Sequence, residues 1–124
     1  MGPPCPYMVP TISFSDYITE RLKVAVDSGV VAIHLEEPEF WDRSGYSDAF
    51  KREYEIRYRE PFVPQHASVD GHYRSAQLKA ELYARALSRA SAAVKEYAKV
   101  KYNRDLRFYV PTHSLINYTQ WKIM

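Results

Sequence analysis

Val30-Val31-Ala32-Ile33-His34-Leu35 runs straight into Glu36-Glu37-Pro38-Glu39-Phe40-Trp41. The first six residues follow Gly29 and are β-branched or apolar apart from His34. Such a run predicts a strand buried on both faces of a parallel sheet. Alternation sets Val31, Ile33 and Leu35 on one face and Ala32, His34 and Glu36 on the other. The strand then gives way to Glu36, Glu37 and Glu39, three carboxylates within four residues. Parallel α/β folds gather their chemistry at this end of their strands.

Upstream of that stretch, Tyr7-Met8-Val9-Pro10-Thr11 is a short apolar run ended by proline, which fits a first strand. Ser13-Phe14-Ser15-Asp16 has the spacing of a capping box, and Phe14, Ile18, Leu22 and Ala25 recur at helical intervals until Ser28-Gly29. Downstream, a helix is expected from near Ser47, carrying Phe50, Tyr54 and Tyr58, until the proline-containing stretch from Pro61 to Asp70. Asp70 is a candidate N-cap for a long helix over residues 71 to 101, about 45 Å at 1.5 Å per residue. Its apolar stripe is Tyr73, Ala76, Ala80, Tyr83, Leu87, Ala90, Val94 and Tyr97. Leu106-Arg107-Phe108-Tyr109-Val110 reads as a third strand, followed by Thr112-His113-Ser114. The alternation predicts an α/β chain of about three parallel strands joined by right-handed crossover helices, one of them long.

The chain has 124 residues, with 17 Lys and Arg against 15 Asp and Glu, a net charge of +2. That balance argues for no nucleic-acid partner, and the basic residues are interspersed with acids on amphipathic helices. No apolar run approaches the roughly 18 residues of a membrane span, so no membrane partner is expected. Met1-Gly2-Pro3-Pro4-Cys5-Pro6 has neither a basic nor an apolar leader region and reads as no signal peptide. Cys5 is the only cysteine, which excludes an internal disulfide or a multi-cysteine metal site. With no glycine-rich phosphate loop and no Gly-x-Ser-x-Gly elbow, neither nucleotide binding nor serine catalysis is indicated. The aromatic fraction, 15% with 11 Tyr, exceeds what a core of this size uses, so some rings are expected to line a surface.

Leu35-Glu36-Glu37-Pro38 ending a strand, with Phe40 and Trp41 behind it, resembles the Asn-Glu-Pro signature of retaining glycoside hydrolases of the large (β/α)8 superfamily, which includes β-galactosidases. The stretch from Tyr7 through Trp121 also resembles a segment of large uncharacterised bacterial proteins related to such hydrolases. The resemblance implies that residues 1–124 form a single partial (β/α)8 (TIM) barrel segment of a larger catalytic domain, because a whole barrel needs about 250 residues and eight strands. It implies that Glu37 is the acid/base, with Glu36 where the superfamily has the asparagine that binds the sugar 2-hydroxyl. Like-charged neighbours and partial desolvation favour the protonated form that a general acid needs. Trp41, Tyr46, Tyr118 and Trp121 are candidates for stacking on a sugar face, and His113 for a rim residue that orients substrate. The nucleophile, a second carboxylate about 5 Å away, belongs to a later strand, so the chain alone is expected to be inactive. The partner is then a carbohydrate, no cofactor is called for, and exposed barrel edges favour self-association.

Three alternatives stay open on the residues themselves. The glutamates can pair with Arg43 or Arg107 as purely structural ion pairs. His34, Glu36 and His113 can gather a metal, because His-x-Glu sets two ligands on one strand face. The stripe from Tyr73 to Tyr97 can bind another helix, making the chain a non-enzymatic interaction module.

Overall fold

The computed structural model describes residues 9–35 and 44–111. In chain order the elements are α1 (Ile12–Asp27), β1 (Ala32–His34), α2 (Asp48–Tyr58), α3 (Val69–Tyr102) and β2 (Arg107–Tyr109). The two strands form one parallel sheet in the register Ala32↔Arg107, Ile33↔Phe108, His34↔Tyr109. The expected partial (β/α)8 barrel is therefore corrected: the described residues are mostly helical, at 64% helix, with three helices and only two short parallel strands among them, and do not form an α/β barrel segment. The order β1, α2, α3, β2 does match the expected crossover between parallel strands.

The long helix explains why the chain departs from barrel geometry. In its 34 residues, about 51 Å, the buried apolar positions Leu78, Leu82, Ala90, Val94 and Ala98 all lie on one row of four-residue steps. Each step of four advances about 40° around the axis, so from Leu78 to Ala98 the row turns through about 200°. One end of α3 thus buries one flank and the other end nearly the opposite flank, whereas a barrel helix buries a single face. Two cores result. Val94 and Ala98 pack with Val26 of α1, Ile33 of β1 and Leu106 before β2, with Leu22, Leu35, Tyr97 and Phe108 around them. Leu78 and Leu82 pack with Phe50 and Tyr54 of α2, with Tyr58 and Phe62 at the margin. Phe62 meets both Phe50 and Tyr54 edge-on, at ring separations of 6.3 and 5.3 Å. The expected stripe holds at Ala90 and Val94 but fails in the first half of α3, where Tyr73 is 60% exposed and Leu78 is buried instead.

Near the start of α1 the contact with α3 is made by small residues. Ser15, Thr19 and Val26 are the buried positions of α1, and the expected Phe14, Ile18, Leu22 and Ala25 are only half-buried beside them. The Ser15 hydroxyl donates to the Ala86 carbonyl at 3.3 Å, while Thr19 returns its hydroxyl to the Ser15 carbonyl at 2.8 Å. Small side chains allow the helices to approach closely, and local hydrogen bonds satisfy the hydroxyls there.

Helix ends follow capping chemistry with some displacement from expectation. The N-cap of α1 is Thr11, with no side-chain capping bond, so the Ser13–Asp16 box is not used. Val9, Pro10 and Thr11 form no strand; Tyr7 and Met8 lie outside the described residues. α2 starts beside Ser47 as expected, with Ser47 capping it by accepting from the Phe50 amide, and the helix stops at Arg59 in the left-handed region, two residues before Pro61. Ser68, rather than Asp70, caps α3 through the Gly71 amide, and Asp70 instead pairs with Arg74 at 2.9 Å. Its C-cap, Asn103, is left-handed, the conformation asparagine tolerates best after glycine.

Candidate functional site

The parallel register brings the C-terminal ends of β1 and β2 level. The Arg107 amide donates to the Val31 carbonyl and the Leu35 amide to the Tyr109 carbonyl, both at 3.0 Å. Side chains of paired residues share a face. Ile33 is buried and Phe108 half-buried toward α1 and α3, whereas Ala32 and His34 beside Arg107 and Tyr109 make up the open face. The strand expected to be buried on both faces is therefore covered on one only, because among the described residues no layer packs over His34 and Tyr109. Tyr109, 50% exposed, and Arg107, expected only as an ion-pair partner of the glutamates, share that open face. Applying to Leu106–Val110 the alternation already applied to Val31–Glu36 would have found them.

The proposed carboxylates follow Leu35 in the chain, and Thr112-His113 follow the segment that leaves β2. Glu36, Glu37 and Trp41, together with His113 and Trp121, lie outside the described residues, as do Glu39, Arg43 and Tyr118. Of the expected metal set only His34 is described. Among the described residues no three His, Cys, Asp or Glu come together as a metal site would require. No helix there is long and apolar enough to cross a membrane.

Tyr46 is the one expected sugar-stacking residue that is described. It stands before α2, 40% exposed, and its hydroxyl lies 2.8 Å from Nδ1 of His66. The two rings also stack, with centroids 5.7 Å apart and planes inclined by 24°. His66 was not singled out in the sequence, where an isolated histidine in a proline-containing loop carries no periodic signal.

Two other polar clusters are structural. At the C-terminal ends of α1 and α3, Asp27 Oδ1 accepts from Tyr102 at 2.6 Å, Tyr97 at 2.8 Å and Lys101 at 3.0 Å. Three donors on one carboxylate, first among them the Tyr102 hydroxyl, lower the Asp27 pKa to about 2. Tyr97 and Asp27 hydrogen-bond to Lys101 and raise its pKa. Arg104 ties down the neighbouring turn by donating to the carbonyls of Val26 and Val30 at 2.9 and 3.1 Å. Between α2 and α3 lies a groove of about 170 Å³ lined by residues that include Leu78, Leu82, Ile56 and two ion pairs. Those pairs, Arg57–Glu81 at 2.9 Å and Arg85–Glu53 at 2.7 Å, compensate its charges internally.

Comparison of the chain with protein-family models, with curated proteins and with solved structures finds no match.

Proposed function

We propose that the chain contributes a general acid to a carbohydrate-active, glycoside hydrolase-like site at the C-terminal end of the β1–β2 pair. The observation that supports this reading is the level ending of two parallel strands, with Leu35 bonded to Tyr109 at 3.0 Å and Glu36-Glu37 next in the chain. Ligands of parallel sheets sit beyond the carboxyl ends of the strands.

In this mechanism the Glu37 carboxyl gives its proton to the glycosidic oxygen as the bond from that oxygen to the anomeric carbon breaks. Glu36 is its close partner, and His113 orients substrate or carboxylate. Trp41 and Trp121 offer ring faces to the sugar there, and Tyr46 offers one beside α2. The cationic sugar left behind requires a second carboxylate positioned as nucleophile, which the chain is not proposed to supply. The 124-residue chain is therefore expected to bind an iminosugar such as 1-deoxygalactonojirimycin, whose ammonium mimics that cation, and to hydrolyse no 4-nitrophenyl β-D-galactopyranoside. Robust turnover by the chain alone, or no iminosugar binding at all, contradicts the proposal.

The stripe of α3 does not favour the helix-partner alternative. Its members Val94 and Ala90 are 0% and 2% exposed, already covered within the chain.

A further inference from the structure

Lys79 is 1% exposed, and an ammonium is rarely buried without a purpose that repays its desolvation. Its amine donates to Gln65 Oε1 at 2.7 Å. Its stem runs beneath Gly45: a Cβ built there would lie 2.8 Å from Lys79 Cε and 3.2 Å from Phe50 Cε1. Gly45 also has φ of +104°, a backbone conformation that L side chains rarely adopt. Gln65 and Gly45 are the residues immediately before His66 and Tyr46. One buried lysine thus grips two separate loops at the positions that launch the two stacked rings.

We infer that Tyr46 and His66 form a two-ring platform for the apolar face of a pyranose, and that Lys79, through Gln65 and Gly45, is the positioning residue that holds the rings together. The inference rests on the carbohydrate reading and adds to the strand-end site a second sugar-contacting surface, beside α2 and the first half of α3. Sugar recognition needs an apolar face flanked by hydrogen-bonding edges. Two rings inclined by 24° supply the face. When the Tyr46 hydroxyl donates to Nδ1 of His66, the neutral imidazole carries its proton on Nε2, a donor left for a sugar hydroxyl. Holding both rings in advance also lowers the ordering cost of binding.

The test is NMR on the intact chain, following the aromatic ring signals of Tyr46 and His66 during titration with methyl β-D-galactopyranoside and lactose. Both ring sets shift together, and Tyr46→Ala or His66→Ala weakens binding at least tenfold, whereas Tyr46→Phe retains most of it. Ring shifts with saccharide but no binding of 1-deoxygalactonojirimycin mark failure of the acid, and iminosugar binding without ring shifts marks failure of the platform, so the two are told apart. Lys79→Met and Gln65→Ala both move the His66 Nδ1 signal away from its hydrogen-bonded position while circular dichroism stays native for Gln65→Ala. If neither saccharide shifts the two rings in the wild-type chain, or if Gln65→Ala leaves both the Nδ1 signal and the affinity intact, the inference is overturned.

Discussion

The Leu35 amide donates to the Tyr109 carbonyl at 3.0 Å, extending the parallel ladder one residue past β1. That bond makes the strand ends level, and it sets His34 and Tyr109 side by side on the open face of the sheet. The other face of the two strands, at Ile33 and Phe108, packs on the core around Val94.

The first expectation follows from that core. Val94 is fully buried among Val26, Ile33 and Leu106. Val94→Asp places an unpaired carboxylate there and unfolds the chain at every concentration, as circular dichroism over a dilution series would show. A folded variant that has only lost an oligomeric state would restore the helix-partner reading.

In the second core, Leu82 is 2% exposed against Phe50 and Tyr54. Leu82→Ala lowers unfolding stability by about 2–5 kcal/mol in urea titration. A loss under about 1 kcal/mol would mean that α2 does not rest on α3 as described.

Ser75 is fully buried, and its hydroxyl has no hydrogen-bond partner among the described residues. Removing an unsatisfied polar atom from a helix interior costs nothing, and alanine is the better helix former. Ser75→Ala is expected to raise stability by up to about 1 kcal/mol; a clear loss would reveal a partner for that hydroxyl.

The Asp27 cluster predicts an acid response. Its folded pKa, about 2, lies below the ordinary 3.8, so the carboxylate favours the folded state above about pH 3.8. That contribution is lost as pH falls through 3.8 toward 2. Asp27→Asn lowers the melting temperature at neutral pH, and the gap to wild type closes across this window. A gap unchanged from pH 6 to pH 2 would contradict the three-donor arrangement.

What could be read from the residues divides along physical lines. Glycine, proline and serine punctuation located α1, α2, α3 and the strands around Ile33 and Phe108 to within a few residues, because end signals are local. The turning of the α3 row was hidden: Tyr73 and Ala80 fit a stripe of threes and fours as well as Leu78 and Leu82 do, and only the contact with α2 decides between them. The Ser15–Thr19 contact ran against the apolar pattern, since small hydroxyl residues that bond locally look solvent-facing in sequence. The barrel came from the motif at Glu36-Glu37-Pro38, and a motif at a strand end does not determine how many strands stand beside it. His66 and Lys79 gave no signal because their pairing with Tyr46 and Gly45 crosses loops far apart in the chain.

The central claim is that Glu37 is the acid at the strand end, and calorimetric titration of 1-deoxygalactonojirimycin into wild type, Glu37→Gln and Glu39→Gln tests it most directly. Glu37 hands its proton to the basic nitrogen of the iminosugar and stays as the carboxylate facing the ammonium, so Glu37→Gln should weaken binding at least tenfold, about 1.4 kcal/mol, while Glu39→Gln binds like wild type. Equal losses in the two variants, or undiminished binding by Glu37→Gln, would contradict the account.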